Sequence, residues 1–266
     1  MTSPLDRIDT TKAHSARVYD YILGGKDHYL VDVEAGDAMC RHWTSLPVHM
    51  LENRRFMHRA GRFLAQEKGI RQFLDIGTGL PTAPNLHEVV QEVAPESRVV
   101  YVDNDPIVLT HARALLQSTP QGATAYVDAD MHDPDAILNS PEFEALLDVG
   151  EPVGLMIIGV LHFILPPDDR RLVQRLLDPL PAGSYLAMTI GTADFAPEEV
   201  GQVAREYARQ NMPMALRDLP TTTSFFDGLE LVEPGVTQVH KWRPGAAQRQ
   251  VTDRDIAMYG AVARKP

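Results

Sequence analysis

From Ile70 onward the chain alternates short apolar runs with amphipathic stretches, and this alternation leaves few folds open to it. The runs are Arg71 to Ile76, Arg98 to Asp103, Thr124 to Asp128, Val153 to Gly159 and Ser184 to Ile190, and a helical period follows each. After Pro106 the helical pattern is carried by Val108, Ala112 and Leu115. After Pro167, Asp168 and Asp169 suit a helix N-terminus, Leu172 and Leu176 form its buried face, and Pro179 stops it. Strands this apolar are covered on both faces, which predicts an α/β fold with a mostly parallel sheet between helical layers. A helix is predicted over Glu198 to Gln210. Two further runs, Leu229 to Val236 and Ile256 to Arg264, have no strong helix between them and are expected to pair antiparallel at one sheet edge.

The first 68 residues follow a different pattern. Helical periods over Ser15 to Ile22 and Val31 to His42 are separated by Gly24 and Gly25, and a longer helix runs from Pro47 to Lys68. Its apolar stripe is Phe56, Ala60, Phe63 and Leu64, and Arg55, Arg59 and Arg62 lie on another face. Three helices of this kind suit a layer packed on another domain. The expected division is therefore a helical lid or substrate region over 1–68 and a core over 69–266.

Charge separates the same two regions. Residues 1–68 carry 10 basic against 9 acidic side chains, and the remainder carries 15 against 27. An acidic core repels phosphate backbones, so no nucleic-acid partner is expected, and an uncharged or cationic small molecule is the better fit. The longest apolar run, Val153 to Leu165, has 13 residues and contains His162, short of the roughly 20 that cross a bilayer, so no membrane partner is expected. Asp6, Arg7, Asp9 and Lys12 interrupt the apolar stretch a signal peptide would need, and the single cysteine, Cys40, allows no internal disulfide. A cytoplasmic protein is expected, with no metal site. No signal of oligomeric state is read.

The chemistry concentrates in Phe73-Leu-Asp-Ile-Gly-Thr-Gly-Leu-Pro-Thr82, a buried strand entering a glycine turn and then a helix expected to begin near Thr82. Gly77 and Gly79 let the backbone turn tightly and approach a ligand. The free N–H groups of the following helix would suit a pyrophosphate or an amino-acid carboxylate equally. The next strand ends at Asp103, 24 residues past Gly79, where a carboxylate can accept both ribose hydroxyls. The third supplies Asp128-Ala-Asp130, and Asp130 could accept from an adenine amino group.

The order Asp75-x-Gly77-x-Gly79, Asp103-x-x-Pro106 and Asp128-Ala-Asp130 resembles motifs one to three of class I S-adenosylmethionine-dependent methyltransferases. Gly154 to Phe163 resembles their fourth motif, and Leu180-Pro-Ala-Gly-Ser184 the turn into strand five. More closely, Ala16-Arg-Val-Tyr-Asp-Tyr-Ile-Leu-Gly-Gly-Lys-Asp27, Glu52-Asn-Arg54 and Gly77-Thr-Gly-Leu-Pro-Thr82 resemble a bacterial methyltransferase family long carried as a domain of unknown function. That resemblance spans nearly the whole chain. It implies a Rossmann-like seven-stranded sheet of order 3-2-1-4-5-7-6, helices on both faces, and S-adenosylmethionine as cofactor. It further implies Asp75 near the methionine amino group, Gly77 and Gly79 against the cofactor, Asp103 on the ribose, Asp130 on the adenine amino group, and Asn104 and Met131 lining beside it. Many class I enzymes have a third glycine where this chain has Pro81. That departure leaves Thr78, Thr82 or an N-terminal residue to hold the methionine carboxylate.

The resemblance implies methyl transfer to an acceptor it does not identify. Methyl transfer asks little of side chains beyond alignment and removal of a proton, so no catalytic residue is assigned. Candidates are Tyr19, Tyr21 and His28, with Lys26 and Arg54 beside them, and His162 after the fourth strand. Two other functions fit parts of the pattern. One is an S-adenosylmethionine sensor without transfer activity. The other is an NAD(P)-dependent oxidoreductase, against which stand Thr82 in place of the third glycine of G-x-G-x-x-G and an unexplained Asp75.

Overall fold

The computed structural model describes residues 8–108, 110, 117–246 and 248–266. Of the helical pattern predicted after Pro106, Val108 is buried as expected, and Ala112 and Leu115 lie outside the described residues.

Five parallel strands form the frame: β1 (Gln72–Ile76), β2 (Arg98–Asp103), β3 (Ala123–Asp128), β4 (Val153–Ile157) and β5 (Tyr185–Gly191). β1 lies at the centre, with Asp75 in register with Tyr101 on one side and Met156 on the other. Every residue of β1, β4 and β5 is buried, which is why they read as unbroken apolar runs. The last strand, β8 (Met258–Arg264), runs antiparallel to β5.

The far edge departs from the seven-stranded expectation. The run over Leu229 to Val236 yields only β6 (Glu230–Leu231), and a second short strand, β7 (Thr237–Gln238), starts just past it; the two pair with opposite ends of β8. Pro234 between them offers no N–H, and Gly235 takes a φ of +80°, so the edge breaks there into a turn. The resulting order is β3-β2-β1-β4-β5-β8-β6, with eight strands where seven were expected.

The N-terminal region forms α1 (Ser15–Ile22), α2 (Leu30–His42) and α3 (Leu46–Glu67). A tight turn joins α1 to α2. Gly24 sits at a φ of +80°, and any Cβ on Gly25 would lie 1.9 Å from Oδ1 of the buried Asp20. The Asp20 carboxylate then accepts from the Asp27 amide and lies 2.9 Å from His28 Nδ1, so this quoted motif builds the turn itself. The second half of α3 lies on the sheet: Phe56, Phe63 and Leu64 pack with Phe73, Val99 and Met156 in one buried cluster that also takes in Trp242. Arg59 donates to the carbonyls of Trp242 and Val239, while Arg55 and Arg62 pair with Glu52 and Glu92.

Helices α4 (Leu86–Val93), α5 (Pro134–Leu138), α6 (Pro141–Leu146), α7 (Asp168–Leu177), α8 (Pro197–Arg209) and α9 (Leu219–Thr223) complete the layers. The apolar side of α8 (Val200, Val203, Tyr207) shares a cluster with Met39 of α2 and with Trp43. No helix among the described residues is long and apolar enough to cross a membrane.

Candidate functional site

The glycine turn is held by its neighbour strand. The amides of Gly77 and Thr78 both donate to the Val102 carbonyl, at 2.8 and 3.1 Å, which folds the end of β1 over the end of β2. The two glycines are needed for different reasons. A Cβ on Gly77 would meet Val160 at 2.7 Å, so this residue is fixed by packing against the loop after β4. Around Gly79, at φ +69°, nothing lies within 4 Å of where a Cβ would be, so the backbone faces open space.

That space is a cavity of about 260 Å³ beyond the C-terminal ends of the strands. Asp75, Gly77, Thr78, Gly79, Asp103, Asn104, Asp130 and Met131 all line it. Asp103 is buried; its Oδ2 accepts from the Gly79 amide at 2.8 Å and Oδ1 from the Asp105 amide at 2.9 Å. Burial raises its pKa, and these two amides oppose the rise. Asp130 is more open, accepting from Asn104 Nδ2 at 2.7 Å and from the His132 amide at 2.8 Å. Asp75 has no ion-pair partner among the described residues. Burial lifts its carboxyl to about 7, against the pull of Arg54 and with a further push from Asp103.

Three sequence expectations are corrected here. The helix after the turn starts at Leu86 rather than near Thr82, because Asn85 and Glu88 form a capping box there. Thr82 consequently lies outside the cavity lining, its amide donating to Asn85 Oδ1 and its hydroxyl to the Leu80 carbonyl. Tyr21 and His28 also lie outside it. The Tyr21 hydroxyl donates to Asp37 at 2.6 Å, and His28 is held by Asp20, so both serve the packing of α1 against α2.

Tyr19 and His162 do line the cavity. The Tyr19 hydroxyl donates to the Met50 carbonyl, and its pKa is raised by burial. His162 is buried and its Nδ1 has no hydrogen-bond partner. Burial first, then His49 and Arg217, pushes its pKa down to about 3.

The other lining residues include Arg54, a sequence candidate, with its motif neighbour Asn53, and several that the sequence did not single out. Residues 14–19 and 43–57 contribute His14, Trp43, His49, Met50, Asn53 and Arg54, so the helical region walls one side of the cavity. His14 and Arg17 fasten α1 there: His14 Nδ1 and Arg17 Nε reach Asp105 Oδ2 at 3.1 and 3.2 Å, and Arg17 also faces the fully buried Asp32. Asn53 is tied to the sheet through Thr189, whose hydroxyl donates to Asn53 Oδ1 and accepts from the Gly159 amide, both at 2.8 Å. Replacing this buried hydroxyl by a methyl in Thr189→Val strands the Gly159 amide, and the loss of stability is expected to be about 2 kcal/mol. Urea unfolding measures it; an unchanged midpoint would show that the bridge contributes nothing.

The fold and the acidic strand ends leave open which relatives the chain has. The family model described as S-adenosyl methyltransferase matches residues 1–266. The chain belongs to that family. It is an S-adenosylmethionine-dependent methyltransferase. A DUF574 family protein from Streptomyces avermitilis is 66% identical, with 98% of this chain and 100% of that one aligned at a TM-score of 0.96. A protein from Thermobifida fusca, provisionally described as a methyltransferase, is 41% identical over 97% of this chain and 96% of its own, with a TM-score of 0.89. The mitomycin 7-O-methyltransferase MmcR shares the fold alone, at 17% identity and a TM-score of 0.51 over 94% of this chain and 68% of its own. No curated protein matches the chain.

Proposed function

We propose that this methyltransferase binds S-adenosylmethionine along the strand ends and methylates a small molecule held beneath the helices of residues 1–68, with 69–266 as the cofactor-binding core. The observation that carries this reading is one cavity with Asp75 of β1, Asp103 of β2 and Asp130 just past β3 on one wall and α1 and α3 on the other. The donor set fits the cofactor group by group. Asp103 would accept from the ribose hydroxyls and Asp130 from the adenine amino group, with Asn104 and Met131 lining that end. Gly77, Thr78 and Gly79 keep the turn low enough for a ligand to lie on it.

The amino-acid end of the cofactor carries both an ammonium and a carboxylate. Asp75 matches the first. Arg54 matches the second, because it lines the same cavity, donates to the Pro84 carbonyl at 2.9 Å and has no carboxylate within ion-pair distance among the described residues. Of the holders the sequence left open, Thr78, Thr82 or an N-terminal residue, this reading takes the last, with Arg54 as that residue. When bound, the cofactor supplies a methyl group already activated by its sulfonium. The chain's own part is to orient the acceptor, exclude water and let a proton leave. A sensor without transfer activity and a nicotinamide-dependent enzyme gain no support from the relatives. The cytoplasm is the proposed compartment, supported by the single cysteine.

Hydrogen exchange tests the lid. Adding S-adenosylmethionine should slow exchange over residues 14–19 as well as 75–79, and Arg54→Met should weaken its affinity about tenfold by calorimetry, the loss of one charge-assisted bond. Protection confined to 75–130 would make the helices scaffold.

A further inference from the structure

The cavity is chemically divided, and its second half is left unused by the cofactor assignment above, on which the following inference rests. Asp75, Asp103, Asp130 and Arg54 all belong to the half beside the glycine turn. The other half is walled by Trp43, Met50, Phe163, Tyr207, Met214 and Leu216, brought together from the start of α3, the loop after β4, α8 and the segment that follows it. Among the described lining residues this half holds no Asp, Glu, Lys or Arg; its titratable groups are tyrosines and two histidines, His49 and His162. The aromatic side chains make two sets of ring contacts: Trp43 lies 5.0 Å from the His49 ring, while His162 lies 4.5 Å from Phe163 and Phe163 5.4 Å from Tyr207.

His162 sits where the two halves meet. Its loop begins at Gly159 and Val160, against Asn53 and the Gly77 turn, and ends at Phe163 in the aromatic wall. The two histidines differ in what holds them. His49 Nδ1 accepts from the Ala257 amide at 3.2 Å and its pKa is pushed down to about 4 by burial. His162 has a buried nitrogen with no partner. Of the buried side-chain polar atoms left without one among the described residues, only this nitrogen belongs to a residue lining the cavity. A buried polar group in that condition costs free energy that is recovered if the ring turns this nitrogen toward a hydrogen-bonding ligand in the cavity.

We propose that the methyl acceptor is an uncharged aromatic molecule that lies in this half and presents a hydroxyl to the imidazole of His162. An aliphatic amine enters at neutral pH as an ammonium, and a carboxylic acid as an anion; the lining offers neither a counter-charge, and Arg217, near enough to act on His162, is already paired with Asp169, so an ion there would be buried unpaired at prohibitive cost. In transfer, a lone pair of the hydroxyl oxygen forms the bond to the methyl carbon. The methyl–sulfur bond breaks with its electron pair left on sulfur, and the hydroxyl proton leaves by way of the imidazole to water.

The test is calorimetry on the full chain saturated with S-adenosylhomocysteine, so that no turnover intervenes, with four bicyclic probes. 2-Naphthol should bind at least about tenfold more tightly than 2-naphthoate, 2-naphthylmethylammonium or 2-methoxynaphthalene, the last of which lacks the donor. His162→Phe should bring 2-naphthol down to the level of 2-methoxynaphthalene while leaving S-adenosylhomocysteine affinity within about twofold. Equal binding of naphthol and either ion, or of naphthol and its methyl ether, overturns the proposal in the wild-type protein alone, whether or not the variant folds. Failure of S-adenosylhomocysteine to bind appears in the first titration, before any naphthyl probe, and overturns the cofactor assignment beneath it.

Discussion

Asp103→Ala is expected to lower S-adenosylmethionine affinity by at least about a hundredfold. Two hydrogen bonds from ribose hydroxyls to a charged carboxylate, at about 1.5 kcal/mol each, already amount to about 3 kcal/mol. The structure adds a second loss. The same carboxylate holds the amides of Gly79 and Asp105, so its removal also frees the turn on which the cofactor would lie. Calorimetry on a variant whose circular dichroism matches the wild type measures the effect. Affinity retained within about twofold would remove Asp103 from the site.

Asp75→Asn is expected to move stability and binding in opposite directions. The folded carboxyl titrates at about 7 against an ordinary value of 3.8, chiefly because it is buried. Raised in the fold, this carboxylate destabilises the free protein fully above about pH 7. The penalty fades as pH falls through that value, since the folded chain then holds a proton that the unfolded chain releases. Asparagine carries no charge. The variant should therefore melt higher than wild type near pH 8, by a margin that shrinks as pH falls from about 7 and closes only below 3.8, yet bind S-adenosylmethionine more than about tenfold more weakly at pH 8, having lost the counter-charge for its ammonium. Wild-type affinity should drop about tenfold between pH 8 and pH 6, and the variant's should stay flat over the same range. A variant that melts lower at pH 8, or keeps the pH dependence, would refute the role given to Asp75.

Both expectations reflect a general tension. A site built for a cation holds an unpaired carboxylate in its free state, and the surrounding β1, β2 and β4 core supplies the stability that tolerates it. The same reasoning applies to Arg54, whose burial lowers its pKa while no carboxylate pairs with it among the described residues.

Much of this architecture is written locally. Five strands, four of them buried along nearly their whole length, and the described helices between them follow from apolar runs of strand length and from helical periodicity, and the observed strand bounds differ from the predicted ones by a few residues at most. Asp103 and Asp130 could be placed because a residue at a strand's end lies at the sheet's C-terminal edge whatever covers it. Two local signals were open to reading and carried the deviations. Asn85 followed three residues later by Glu88 marks the true helix start, and Pro234-Gly235 marks the break in the edge strand.

What the sequence by itself determined is the sheet, its acidic edge and the glycine turn, because each depends on the period of a short segment or on a φ that one residue must adopt. Which side chains meet across the cavity was decided only by the tertiary structure. Tyr19, Tyr21 and His28 look alike as candidates along α1 and its turn, yet only Tyr19 faces the cavity, since Asp20 and Asp37 claim the other two. Trp43 and His49 lie more than a hundred residues before His162 and Tyr207, and nothing in their own neighbourhoods tells an aromatic wall from ordinary core. Their meeting depends on α1 being fastened to Asp105 and on α3 being tied through Asn53 to Thr189, and those are long-range contacts that no local pattern encodes.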